Sequence, residues 1–200
     1  MESMEIDTLL RRLADEHVQE WDRPEEFQRA GDLTVAGSVV FSCPEPPEWY
    51  ECGDVPPGEY PVYIGTVRRT DQESGDTSTF VTMVFVPLAD PGAIGGAGFE
   101  DAAEDWQPLG AATGFLWDST AMDSFRPGGT PPKGFADLDA FVAHVESELG
   151  TSGAAWVSVV ADEETGANVL AFPVLDESAL CFEAHDEDGK LLALLYTGSL

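Results

Sequence analysis

Positive charge is what this sequence has least of. Its 200 residues carry 9 Lys and Arg against 38 Asp and Glu, a formal net charge of −29. Nucleic acids and anionic membrane surfaces are held through Lys and Arg, so neither is an expected partner. The deficit is steepest from Thr70 to Leu200, where 23 acids face only Arg126, Lys133 and Lys190, a net of −20. Cysteine is scarce as well. Cys43, Cys52 and Cys181 form no CxxC pair, and an odd set without metal spacing reads as reduced thiols in a cytosol. Long apolar runs are missing. The opening "MESMEIDTLLRRLADEH" carries acids throughout and does not read as a signal peptide. No other run approaches the roughly 20 apolar residues of a membrane span. A cytoplasmic location is the expectation.

Lysine (twice), asparagine (Asn168 alone) and isoleucine (three times) are all rare, while Ala and Gly abound. That pattern fits a GC-rich bacterial genome, and an acidic, lysine-poor chain also suits high salt. Composition therefore competes with function as the source of the acidity. It does not explain why arginine fails to replace lysine.

What is present supports a core. Apolar residues make up 43% of the chain, too many for disorder despite the charge. The length suits one compact domain. Met4 to Trp21 reads as an amphipathic helix with Ile6, Leu9, Leu10, Leu13, Val18 and Trp21 on its stripe. "RPEEFQRAG" reads as a short second helix, with Pro24 early, Glu25 and Glu26 at the positive dipole end, and Gly31 as the stop. The expected division is a helical segment over 1–32 and an antiparallel α+β unit over 33–200.

From Leu33 the period changes to two. "LTVAGSVVFS", "EYPVYIGTVRR", "STFVTMVFVP", "LGAATGFLWDS" and "AMDSF" read as strands. "GAIGGAG" reads as a loop or flap, with one helical turn over "FEDAAEDW". A helix follows over Ala136 to Leu149, striped by Leu138, Phe141, Val142 and Val145. "AAWVSVVA", "NVLAFPV", "ALCFEAH" and "KLLALLYTG" close the chain as strands around tight polar turns. Strands joined so shortly pair antiparallel. The expected fold is α+β: one or two antiparallel sheets, with the N-terminal helix and a further helix packed on one side.

"DVPPGEYPVYIG" stands out among these segments. Pro56 and Pro57 hold an extended approach and Gly58 permits a turn. Pro61 sits early in the strand, where its missing amide matters least. The stretch reads as a strand entrance. "PPGEYPVYIGTVRR" also resembles the "PGxYPV" strand entrance of an uncharacterised bacterial family, domain of unknown function 4241. "GAATGFLWDSTAMDSF" is similar to that family's Gly-Val-Asp-Ser-Gly hairpin, with Thr120 in place of the second glycine. "ANVLAFPVLDESALCFEAHDEDGKLLALLYTG" resembles its closing strands, with "LDES" in place of a Gly-Asp-Gly turn. The resemblance spans Leu33 to Leu200 and implies a fold rather than a reaction.

Chemistry-bearing patterns are sparse. His17, His144 and His185 are far apart in sequence, no HExxH occurs, and zinc is not expected. "HDEDGK" matches part of a calcium loop through Asp186, Asp188 and Gly189, but the twelfth position is Leu195. It reads as a hairpin turn. "GTSGA" is not a nucleophile elbow, and "GAIGGAG" lacks the Lys and Ser/Thr of a phosphate loop. Asp118 and Asp123 flank a turn and could do acid–base or metal chemistry if buried together, although close pairs are expected by chance among 38 acids. No catalytic residue, cofactor or metal ligand is assigned.

Aromatics ringed by acids are the remaining signal. Trp49 and Tyr50 stand beside Glu51, Trp106 follows "EDAAED", and Trp117 precedes Asp118. Such rings anchor protein interfaces or plug a core. The sequence therefore points to a non-enzymatic acidic module that binds a basic protein, in the manner of an immunity or antitoxin-like inhibitor. Its expected surface comprises Trp49, Tyr50, Glu51, Trp106, Asp118, Asp123, Asp186, Glu187 and Asp188. One competing reading is a ligand site or hydrolase between the sheet and the "GAIGGAG" flap, using Asp118 and Asp123. Another is a solvent-adapted domain with no partner.

Overall fold

The computed structural model describes residues 2–42, 51–52, 55–102, 107–109, 113–125, 129, 131, 134–162, 165–175 and 178–199. Two antiparallel sheets stack face to face. In the first, β1 (Glu26–Val35), β4 (Gly58–Thr70), β5 (Thr77–Pro87), β12 (Leu191–Ser199), β11 (Ser178–His185) and β6 (Phe99–Asp101) lie in that order, and β7 (Gln107–Pro108) also pairs with β11. The second runs β3 (Glu51–Cys52), β2 (Val39–Ser42), β8 (Thr113–Asp118), β10 (Asn168–Pro173), β9 (Val157–Val160). The fold is α+β.

Helices cover both outer faces, not one. α1 (Glu2–His17) and α2 (Pro91–Gly95) lie on the first sheet, and α3 (Ser119–Asp123) and α4 (Leu138–Ser152) on the second. The strand sequences show why. A strand covered on both faces is apolar at odd and even positions alike. On β5, Val84 and Val86 enter the core between the sheets while Met83 and Phe85 meet α1. On β10, Leu170 and Phe172 point into that core while Val169 and Ala171 meet the α4 layer. Leu9, Leu10 and Leu13 of α1 and Phe141 and Val145 of α4 are each buried against their sheet.

Two expectations are corrected within the N-terminal third. The first helix ends at His17, not Trp21, and "RPEEFQRAG" is not a second helix: Glu26 to Gly31 begin β1. Gly31, at φ 126°, sits at a bulge where β1 shifts register against β4 between Arg29 and Gly31. The extra residue switches the strand's faces. Phe27 therefore packs outward under α1, while Leu33, an even number of residues later, packs into the sandwich. A division at residue 32 falls inside this strand. "AMDSF" is corrected likewise: Ser119–Asp123 is helical, capped by the Asp118 side chain, which accepts from the Thr120 amide. "GAIGGAG" contains α2, whose Ile94 is fully buried. Of "FEDAAEDW", Phe99–Asp101 is strand and 103–106 lies outside the described residues.

The chain changes sheet between β1 and β2, through Ala36, Gly37 and Ser38. That crossing places Asp118 and the paired sheets in one frame.

Candidate functional site

Asp118 is the most buried carboxylate of the expected surface, at 0% exposure. It ends β8 and meets the sheet crossing. One oxygen, Oδ2, accepts the amides of Ala36 at 2.8 Å and Gly37 at 2.7 Å. The other, Oδ1, accepts the Thr120 amide at 2.9 Å and also the Thr120 hydroxyl. Ser119 completes the joint: its amide donates to Ser38 O, and its Oγ accepts the Ser38 amide. Gly37 is required here, because a Cβ would stand 2.9 Å from Ser119 Oγ. A carboxylate engaged by four donors and closed to solvent clamps the sheet crossing to the start of α3. Asp123 ends α3 and is exposed. Asp118 is closed to solvent while Asp123 is open to it, and the "GAIGGAG" segment lies on the opposite outer layer.

Asn168 is a second clamp that the sequence did not single out. Its amide nitrogen donates to Asp32 O at 2.9 Å and Ser158 Oγ at 3.0 Å, and its Oδ1 accepts the Thr34 amide at 2.9 Å. It ties β10 to β9 and to β1 of the other sheet. Its being the lone asparagine of the chain was the available signal. Thr120 serves Asp118 directly, its amide and hydroxyl both donating to Oδ1.

The remaining expected residues scatter. Asp186, Glu187 and Asp188 form the exposed turn between β11 and β12. Asp186 Oδ1 accepts the Asp188 amide at 3.0 Å and the Lys190 amide at 2.9 Å, and Gly189 takes φ 80°. This is a hairpin turn closed by its own aspartate. Trp117 is fully buried, edge-on to Phe115 at 5.7 Å, with its indole donating to Ser42 Oγ. It plugs the core. Trp49, Tyr50 and Trp106 lie outside the described residues, as does the Glu51 side chain. The exposed aromatic that was not expected is Trp21, at 59%, beside Arg69 and its ion pair with Asp22 at 3.0 Å. Among the described residues, no three His, Cys, Asp or Glu side chains converge as metal ligands. Nor is any of their helices long and apolar enough to cross a membrane.

A concave feature among the described residues lies on the outer face of the first sheet. A groove of about 1060 Å³ runs between α1, the segment leading into α2, and the β11–β12 turn. Phe27, Tyr63 and Leu192 form its floor, and Tyr60 and Pro61 of the "PPGEYPVYIG" entrance form one flank. That entrance is therefore both scaffold and wall. The Tyr60 phenol donates to Pro56 O at 2.7 Å, and partial burial raises its pKa above the ordinary 10.0. Asp7, Asp90 and Asp186 supply negative charge from three separate elements, and Arg29 and Lys190 supply positive charge. Arg29 is already paired with Asp32.

No protein-family profile, curated protein or solved structure matches the chain.

Proposed function

We propose that this chain is a non-enzymatic, cytoplasmic protein-binding module that occludes a basic partner, as an immunity or antitoxin-like inhibitor does. The observation that carries this reading is the division of charge along the fold. Six of the nine basic residues fall between Arg11 and Arg69. There five of the six meet local carboxylates: Arg12 with Glu16, Arg23 with Asp15, Arg29 with Asp32, Arg68 with Glu25, Arg69 with Asp22. From Thr70 onward 23 acids face three basic residues, and Asp139, Glu146, Glu148 and the Asp186–Asp188 turn are exposed. Such a surface steers a basic protein and competes for the Lys and Arg that would otherwise hold phosphates. The two buried polar clamps fit the reading, because their hydrogen bonds are spent within the fold. The resemblance to domain of unknown function 4241 adds a proposed scaffold and no reaction.

The test is affinity capture from the native lysate at about 0.05 M and about 0.5 M salt. A basic protein held at low salt and released at high salt is the expected result. Capture indifferent to ionic strength overturns the electrostatic mechanism.

A further inference from the structure

We propose that the groove on the outer face of the first sheet is the docking site for an extended segment of a partner protein that carries an arginine or lysine between apolar residues. The proposal rests on the protein-binding reading and assigns it a place and a ligand chemistry.

Three observations carry it. The groove has a volume of about 1060 Å³, at the upper end of the roughly 300–1,000 Å³ of small-molecule clefts. Its walls suit side chains of an extended chain: Phe27, Tyr60, Tyr63, Pro61, Pro87 and Leu192 offer rings and flat apolar surface.

The second observation is the state of its charges. Arg29 is neutralised by Asp32, and Asp186 Oδ1 is held by the Asp188 and Lys190 amides. Asp7 on α1 and Asp90 at the start of α2 remain. Neither side chain has a hydrogen-bond or ion-pair partner among the described residues, although Asp90 stands at the N-cap of α2. The Tyr63 hydroxyl is likewise without a partner among the described residues. Two carboxylates and a phenol beside aromatic rings are complementary to a guanidinium or ammonium.

The third observation is a precedent at the groove's border. Arg11 already sits over the Phe27 ring at 5.7 Å, so the floor accepts a cation on one side. Lys190 and Arg11 are the groove's opposing elements: both disfavour a cationic ligand, and Lys190 gives the test a variant of opposite sign.

The test uses the full chain and fluorescein-labelled heptapeptides with a central arginine flanked by leucine, proline or tyrosine, each with a central-glutamate counterpart. Fluorescence polarisation reads Kd. The arginine peptides are expected to bind at least about tenfold more tightly than their counterparts. Asp7→Asn with Asp90→Asn is expected to raise Kd roughly three- to tenfold, and Lys190→Glu to lower it. All three positions are exposed or at the surface of turns, and circular dichroism confirms the fold of each variant. A control variant, Asp139→Asn with Glu146→Gln on α4, leaves peptide binding unchanged. Equal or absent binding of the two peptide types overturns the groove proposal, as does equal weakening by the α4 control. The same variants used in lysate capture separate the two readings. If the α4 control loses the basic partner while the groove variants retain it, the module reading stands and the groove assignment fails.

Discussion

At the residue scale, the expected active carboxylate is the fold's main polar joint. Asp118 accepts from two amides of the sheet crossing and from the Thr120 amide and hydroxyl. An asparagine there turns an acceptor into a donor against backbone N–H groups. Asp118→Asn is therefore expected to cost about 2–4 kcal/mol, because buried donors lose their partners. In a chain of this size that lowers Tm by roughly 10 °C. Urea unfolding of the variant checks it; an unchanged midpoint would return Asp118 to the list of groups held ready for chemistry. His17 supplies the pH prediction. Burial beside Phe99 and Phe182 lowers its pKa from the ordinary 6.5, Glu16 acting against this and Arg12 with it. As pH falls through 6.5 the unfolded chain takes up the proton first. Stability is complete above that value, falls between it and the lower folded-state pKa, and is level below. The stability difference between about pH 7 and about pH 5 is expected to shrink in His17→Gln relative to the parent chain. An identical pH profile in both would remove the histidine from the linkage.

At the scale of elements, the sequence was legible wherever a strand or helix kept one period. α4, β4, β5, β10, β11 and β12 follow the expected segments, and α1 does so as far as His17. β1 did not. Its bulge at Gly31 breaks the two-residue period, leaving Phe27, Ala30 and Leu33 buried or partly buried at a spacing that imitates a helix. Pro24 and two glutamates supplied false start signals. α3 was misread because five residues are too few to show a period; only its Asp118 cap marked it. α2 is equally short, yet Ile94 pins it to α1 and β12 residues of the outer core, and Arg12 Nη1 donates to Gly95 O at 2.7 Å. Ile94→Ala is expected to cost about 2–4 kcal/mol and to speed amide hydrogen exchange over Ala93–Ala97 by orders of magnitude. A loss below about 1 kcal/mol, with exchange unchanged, would show that α2 rests on its arginine contact instead.

At the scale of the whole molecule, charge opposes the packing that the layers create. Most of the net −29 arises in the region with few cations, and compaction brings those carboxylates closer than in the unfolded chain. Raising salt from about 0.1 M to about 1 M shortens the screening length from roughly 10 Å to roughly 3 Å. Tm is expected to rise by several degrees over that range, since the exposed ion pairs lost to screening are worth little each. A flat or falling Tm in scanning calorimetry would show that the carboxylates are too dispersed to repel, which favours plain solvent adaptation.

The sequence by itself determined the class of the fold and the sign of its surface. Both follow from sums and periods over many residues, which survive local misreading. Tertiary structure alone decided where individual groups ended up. Two sheets had to stack before Asp118 and Ala36, 82 residues apart, met as a clamp, and before Asn168 reached Thr34 across 134 residues. The packing of α3 and α4 on the second sheet enclosed Trp117 and left Asp123 outward. The packing of α1 and α2 on the first sheet gathered Asp7, Tyr63 and Asp90 from three elements around one groove. None of these juxtapositions has a local spacing, because each depends on which strand lies beside which.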